Sequence, residues 1–186
     1  MNLVEAKERD KYRRMWERAE YRRYSPGLEA ASRAFKQMRA GQTLYDLGCG
    51  TGRAGDYFHA NGMDVVLVDF APNANESKLP FVEACLWRME LPRRDWGFCA
   101  DVMEHIPPEH VEAVLERIAA CCSNVYFQIH TEQDGCGRLI GETLHLTVQE
   151  PAWWFEKLRK YFVLEGHGKS RHRVETWGRV LDHKEQ

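Results

Sequence analysis

The sequence predicts an α/β protein built on a mostly parallel, doubly wound sheet with helices on both faces. Three observations carry this. From residue 43 onward, short apolar strand candidates alternate with amphipathic helix candidates. One strand runs directly into a turn with glycine at alternate positions, Gly48, Gly50 and Gly52. The chain has 186 residues, enough for one domain with a sizeable core and too few for two ordinary ones.

The elements follow in order. Residues 3–24 read as a helix in which Tyr12, Met15, Trp16 and Ala19 recur at helical spacing as one apolar stripe. Its other faces are rich in Lys and Arg, among them Arg9, Lys11, Arg13, Arg14 and Arg22. They make either a solvated face with i,i+4 pairs or a lid that brings positive charge to an acidic substrate. Ser25-Pro26-Gly27 breaks this helix, and a second runs to about Arg39, where Ala40-Gly41 stops it. Thr43–Leu47 is the first strand, and 53–60 a helix ended by Asn61-Gly62. Asp64–Val68 has the near-continuous apolar character of a strand buried on both faces. Pro80–Leu86 and Trp96–Ala100 are the third and fourth strands. Pro107-Pro108 opens a helix with Val111, Val114, Leu115 and Ile118 on one face. Asn124–Ile129 is a fifth strand, 131–148 a long polar loop, and Pro151–Lys160 a helix with Trp154, Phe155 and Leu158 inward. Phe162–Glu165 and Arg173–Val180 close the chain as a hairpin. The domain therefore divides into a helical cap or lid (1–40), a ligand-binding core (41–130), and a loop, helix and hairpin on the acceptor side (131–186).

Composition narrows the class. Apolar residues make up 44% and charged residues 29%, with a formal net charge of −2, so nothing draws the chain as a whole to nucleic acid. No apolar run approaches the ~20 residues of a membrane helix. The charged N-terminus does not read as a secretory signal. The six cysteines, at 49, 85, 99, 121, 122 and 136, include no C-x-x-C pair, which points to reduced thiols in a cytoplasm.

The glycine turn carries the functional signal. A strand, a tight glycine turn and a helix N-terminus with free N–H groups form a nucleotide-type binding edge, at the carboxyl end of a strand where such sheets bind ligands. Gly50 to Gly55 also satisfies the dinucleotide fingerprint G-x-G-x-x-G. The register argues against that match. The strand ends at Asp46-Leu47, ahead of Gly48-Cys49, and a carboxylate there suits an ammonium group better than a pyrophosphate. Asp69, at the end of the second strand, is placed to accept both hydroxyls of a ribose.

With those residues in view, the sequence resembles the class I S-adenosylmethionine-dependent methyltransferases, over about residues 40–130. Asp46-Leu47-Gly48-Cys49-Gly50-Thr51-Gly52 is similar to their first motif, Val68-Asp69 to their ribose motif, and Asp101-Val102-Met103-Glu104-His105-Ile106-Pro107 to the segment after their fourth strand. The resemblance implies a Rossmann-like sheet of seven strands, the last antiparallel, and S-adenosylmethionine as cofactor. Asp46 would then serve the ammonium end, with Gly48, Cys49, Gly50 and Gly52 around the methionine portion. Asp69 and Phe70 would lie at the ribose, and Asp101 beside the cofactor. The family's adenine contact includes an acid after strand three. Cys85-Leu86-Trp87 stands there, so adenine would rest on the Leu86 backbone and on Trp87, which is otherwise a core residue.

Methyl transfer is an in-line displacement that requires alignment and exclusion of water, plus a base when the acceptor is a hydroxyl or a protonated nitrogen. Candidates are Asp101, Glu104 and His105 after strand four, His130 at the end of strand five and His145 in the long loop. Glu104 and His105 also have a structural reading, and His145 lies in an alternating stretch that reads as a short strand. Asp101-x-x-Glu104-His105 further resembles the metal-ligand segment of small-RNA 2′-O-methyltransferases, with His130 or His145 completing a set for a divalent ion. Of Trp153 and Trp154, one reads as core and the other as a wall for an aromatic acceptor. The expected activity is methyl transfer to O or N of a small molecule. The alternatives are a nucleic-acid methyltransferase, an NAD-type oxidoreductase and a non-catalytic cofactor-binding subunit.

Overall fold

The computed structural model describes residues 3–168, 170 and 172–182. Seven strands form one sheet: β1 (Thr43–Leu47), β2 (Asp64–Asp69), β3 (Phe81–Glu83), β4 (Arg94–Ala100), β5 (Cys122–His130), β6 (Phe162–His167) and β7 (Arg173–Val180). Their order is β3-β2-β1-β4-β5-β7-β6. β1 pairs in parallel with β2 and β4, and β7 is antiparallel to both β5 and β6. The strand order reverses between β1 and β4, so the crevice at their carboxyl ends is where a ligand belongs.

Helices α1 (Leu3–Trp16), α2 (Ala19–Arg22), α3 (Pro26–Ala34), α4 (Arg53–Ala60), α5 (Val111–Cys121) and α6 (Pro151–Arg159) surround the sheet. On one face, Val111, Val114, Leu115 and Ile118 of α5 and Trp154 and Leu158 of α6 are all buried. They share one apolar cluster with Val125, Phe127 and Ile129 of β5. On the other, Ala30, Ala31 and Ala34 of α3 and Phe58 of α4 pack on Leu44, Val65 and Phe98. Each such large side chain contributes about 1.5–3 kcal/mol relative to exposure. The sheet and its flanking helices are rigidly packed, while the ligand edge is built from loops.

Several boundaries differ from the sequence reading. The N-terminal helix breaks after Trp16 and resumes at Ala19, and the second helix tightens into a single 3-10 turn at Phe35–Gln37. Strand three is only Phe81–Glu83, so Cys85-Leu86-Trp87 lies in the turn that follows. The stretch around His145 is no strand. Its backbone pairs elsewhere: Leu146 and Thr147 N–H both donate to the Glu104 carbonyl, at 2.8 and 2.9 Å.

The largest departure is α1. Tyr12 and Met15 are buried as the stripe requires, but Ala19 is exposed, and Glu5, Glu8 and Lys11 are buried instead. Lys11 forms an ion pair with Glu8 and donates to the Thr143 carbonyl at 3.1 Å. The helix lies across the carboxyl edge of the sheet as a roof. Arg9 on one side reaches the Phe70 carbonyl (2.8 Å) and Glu83 (2.7 Å), and Arg14 on the other reaches Glu142 (2.6 Å). These cations, with Arg13 on Asp10 and Glu17 and Arg22 on Glu76, are neutralised within the chain. They are not aimed at an acidic substrate.

Candidate active site

The turn after β1 is built on positive φ values at Gly48 (+72°), Gly50 (+50°) and Gly52 (+80°), which favour glycine. At Gly48 the need is doubly strict, because a Cβ there would sit 2.5 Å from Val102 Cγ2. Four N–H groups of the turn are bonded within the protein. Gly48 and Cys49 N–H donate to the Val68 carbonyl (2.7 and 3.2 Å), Gly50 N–H to Asp69 Oδ2 (2.9 Å), and Gly52 N–H to the Cys49 carbonyl (2.9 Å). Gly55 N–H, at the start of α4, donates to Asp46 Oδ2 at 2.9 Å. With those donors engaged, the turn is a steric cradle with two buried carboxylates beneath it. That is a poor seat for pyrophosphate, which needs the N–H groups, and a good one for a cation.

Gly55 is a residue whose role the sequence reading dismissed along with the fingerprint. A Cβ at Gly55 would lie 2.3 Å from Leu67 Cδ2. The glycine lets α4 press onto β2, the packing role of the third glycine in a dinucleotide fingerprint.

Two adjoining cavities open at this edge, with empty volumes of about 630 and 1250 Å³. The first is lined by Gly48, Asp69, Phe70, Ala84, Leu86, Trp87, Val102 and Ile106 from the core, and by Glu8, Tyr12, Trp16 and Tyr21 from the N-terminal segment. The second is lined by Asp46, Cys49, Gly50, His130, Glu132 and His145, among others. Gly48, Asp101 and His105 border both. The four N-terminal residues were not recognised as lining from sequence. Gly52 and Glu104 border neither: Gly52 sits against Ser77 and Leu67, and Glu104 is wholly buried beneath the site. Trp154 is in the core, and Trp153 packs against it with the Lys157 ammonium 5.2 Å from its ring centroid. Neither tryptophan lines these cavities.

The electrostatics divide the titratable groups. Burial pushes the Asp46 carboxyl up to about 7, against the pull of the Gly55 N–H. Burial also raises Asp69, opposed by the Ala71 and Gly50 N–H groups. Glu104 is pushed well above the carboxylate range by burial and by the charge of Asp101. Its Oε1 accepts the His130 N–H at 3.1 Å and its Oε2 has no hydrogen-bond partner. Burial by itself would raise Asp101, but its hydrogen bond and charge interaction with His130, the Gln128 hydrogen bond and the charge interaction with His105 together outweigh that and hold it below the usual range. His105 is driven down to about 3, mainly by burial and then by His145. Its Nδ1 lies 2.7 Å from the Tyr12 hydroxyl and 3.1 Å from the Leu144 carbonyl. His105 is therefore neutral and weakly basic.

Asp101 is the only described non-glycine residue with positive φ, at 57°. An aspartate tolerates that conformation better than most side chains, and here it is held on every side. Its N–H donates to the Gln128 carbonyl (2.9 Å), Gln128 Nε2 donates to its Oδ1 (2.8 Å), and its Oδ2 lies 3.5 Å from His130 Nε2. Two sets of groups come within metal-ligand reach of one another, Asp101, Glu104 and His130, and Glu104, His105 and His145.

A family model described as a methyltransferase domain matches residues 15–183. The chain belongs to that family. This methyltransferase also shares its fold with many solved structures. One is the PH0226 protein of Pyrococcus horikoshii, at a TM-score of 0.71 and 14% identity, covering 82% of this chain and 88% of that one. Another is the 1,6-didemethyltoxoflavin-N1-methyltransferase of Burkholderia thailandensis, at 0.64 and 20%, covering 84% and 79%. A third is a TehB-like S-adenosylmethionine-dependent methyltransferase of Corynebacterium glutamicum, at 0.64 and 17%, covering 83% and 88%. No sequence among the curated proteins matches. The seven-stranded sheet with β7 antiparallel is the architecture the sequence resemblance implied, and the family match displaces the oxidoreductase reading.

Proposed function

We propose that this methyltransferase uses S-adenosylmethionine to methylate an oxygen or nitrogen of a small molecule. The observation that carries the cofactor is the glycine turn: the N–H groups of Gly48, Cys49, Gly50 and Gly52 are engaged, and the buried carboxylates Asp46 and Asp69 stand under it. That arrangement selects a cationic ligand over a phosphate. Asp46 would hold the ammonium group. Asp69, which keeps a lone pair free on each oxygen beyond its backbone bonds, would hold the ribose hydroxyls. Leu86, Trp87 and Phe70 offer apolar surface for the base. When bound, the cofactor supplies an electrophilic methyl group on a sulfonium, set for in-line attack.

The chain's own residues provide alignment, dryness and a base. Tyr12, Trp16 and Tyr21 roof the cavity and keep water from it. With His130 Nε2–H turned toward Asp101, Nδ1 carries the lone pair that can take a proton from an acceptor O–H or N–H. The lowered pKa of Asp101 keeps it ionised, which stabilises the imidazolium formed. His145 directs Nδ1 at the Glu132 carbonyl, leaving Nε2 as a second acceptor on the same cavity. Glu104 is a buried acid that supports the β5 end through the His130 N–H.

A small acceptor is supported by two features. The cavity bordering His130 and His145 is a concave, partly open pocket whose lining is gathered from the carboxyl ends of the strands and the loop that carries His145. Arg9, Lys11, Arg13, Arg14 and Arg22 of the N-terminal helices are paired within the chain, which leaves them less available to a phosphate backbone. The Burkholderia neighbour was solved with a small heterocycle and S-adenosylhomocysteine bound, which agrees with this reading.

The test is calorimetric titration with S-adenosylhomocysteine, then incubation with methyl-tritiated S-adenosylmethionine and a size-fractionated cell extract. Binding and label in the small-molecule fraction are expected. No binding would end the cofactor assignment, and label in RNA or DNA would change the acceptor class. Adding a chelator to the same assay tests whether the carboxylate–imidazole groups work through a metal ion: loss of turnover, restored by one divalent ion, would replace the His130 base with metal activation.

A further inference from the structure

Three carboxylates face the first cavity: Asp69, Asp101 and Glu8. Two are engaged by the core. Asp69 accepts the Gly50 and Ala71 N–H groups, and Asp101 accepts the Gln128 amide. Glu8 hangs from the roof, is 6% exposed, and lines the cavity with its Oε2 against the Lys11 ammonium. Among the described residues its ionic partner is Lys11, which is 2% exposed and held in place by the Thr143 carbonyl. A buried carboxylate is costly unless a cation accompanies it. Lys11 offsets that penalty, so the pair is tolerated at the cavity wall.

The run of α1 tells which end of the ligand lies under Glu8. At its N-terminal end Glu5 pairs with Arg88 at 3.4 Å and Arg9 with Glu83 at 2.7 Å, beside β3 and the turn after it. At its C-terminal end Trp16 lies over the glycine turn, with Cζ2 2.9 Å from where a Gly50 Cβ would be. Glu8 is thus on the half of the roof nearest Leu86 and Trp87, away from the methionine end. The turn after β3 brings no acid of its own, since it reads Cys85-Leu86-Trp87.

We propose that Glu8 recognises the exocyclic amino group of the purine, so that the base is read from the N-terminal helix rather than from the loop after β3. This rests on the S-adenosylmethionine reading above. A 6-amino group donates N–H to the carboxylate. A 6-oxo group would set lone pairs against it, so the residue selects adenine over hypoxanthine.

The experiment compares binding of S-adenosylhomocysteine and S-inosylhomocysteine by titration calorimetry in the full chain. The wild type is expected to prefer the adenosyl compound by about 10- to 100-fold, the range of one hydrogen bond to a charged group. Glu8→Gln keeps an acceptor for Lys11, so the roof still packs. Its amide can donate to a 6-oxo group, so affinity for the inosyl compound should rise while that for the adenosyl compound falls. A Glu8→Leu, Lys11→Met double variant removes both charges together and should bind the two compounds within about threefold of each other. Equal losses for both compounds in Glu8→Gln, or an unchanged ratio in the double variant, would overturn the assignment and leave the pair a structural ion pair. Failure of the wild type to bind either compound would instead overturn the cofactor reading.

Discussion

The hydroxyl of Tyr12 lies 2.7 Å from Nδ1 of His105, tying α1 to the turn after β4 across the wall of the first cavity. Both residues are largely buried, and the Tyr12 ring also meets Phe70 at a centroid distance of 5.6 Å. Tyr12→Phe removes the polar tie and keeps the packing. One such hydrogen bond contributes about 1 kcal/mol, which corresponds to a fall of about 2–4 °C in Tm for a domain of this size. If α1 is a cover for the cofactor, affinity for S-adenosylhomocysteine drops about fivefold as well. A lower Tm with unchanged affinity would make the helix scaffold only.

Asp46 gives a pH dependence of known sign. Its folded pKa, about 7, lies above the unfolded value of about 3.9. Such an acid contributes stability that is complete below the unfolded pKa and is lost as pH rises through the folded one, by up to about 1.4 kcal/mol per pH unit. Asp46→Asn has no such loss. Its stability relative to wild type should therefore grow between about pH 4 and pH 7 and stay constant above. Urea midpoints at four pH values measure this, and a gap that does not change with pH would remove the buried-carboxyl explanation. A cationic ligand prefers the ionised form, so wild-type affinity for S-adenosylhomocysteine should rise through pH 7, and Asp46→Asn should lose that rise.

Gly55→Ala tests the contact between α4 and β2. Its Cβ would be 2.3 Å from Leu67 Cδ2 and 3.2 Å from Asp46 Oδ2, so the helix must shift. Overpacking of this kind costs about 1–3 kcal/mol, and the displaced Gly55 N–H would also loosen Asp46. Gly41→Ala is the control. It meets nothing within 4 Å and carries only the strain of its positive φ. Thermal unfolding should rank Gly55→Ala well below Gly41→Ala, and only Gly55→Ala should lose ligand affinity. Equal Tm values would show that the contact relaxes freely.

The sheet and the glycine turn were readable in the sequence because both rest on local rules. β2 is a continuous apolar run, α5 repeats Val111, Val114, Leu115 and Ile118, and the turn needs glycine where φ is positive. The roof was not readable. Glu8 and Lys11 look like solvent-facing charges in any helical projection, and their burial depends on a carbonyl at Thr143, far along the chain. The use of the turn's N–H groups was hidden for the same reason, since their acceptors include Val68, Asp69 and Asp46 on the strands. His105 and His130 look alike as letters. Burial and the neighbouring His145 separate them, leaving His105 neutral and His130 beside an ionised aspartate.

Arg33 Nη2 donates to Gln128 Oε1 at 2.7 Å, which fixes the Gln128 amide so that its Nε2 faces Asp101. Arg33 is itself paired with Glu175 at 2.9 Å, so a chain of polar contacts runs from α3 under the sheet to His130. The proposed function makes His130 the base and Gln128 a positioning residue. His130→Gln should lower the methyl-transfer rate by about 10²–10⁴-fold, remove the acidic limb of the pH–rate profile, and leave affinity for S-adenosylhomocysteine within about threefold. Gln128→Leu should lower the rate by about tenfold while keeping that limb. It frees Asp101 to leave its left-handed conformation and to take up a proton more readily, moving the limb without abolishing it. A rate loss in His130→Gln matched by an equal loss of ligand affinity would assign the imidazole to binding. Survival of the acidic limb in that variant would transfer the base to His145, whose Nε2 faces the same cavity wall.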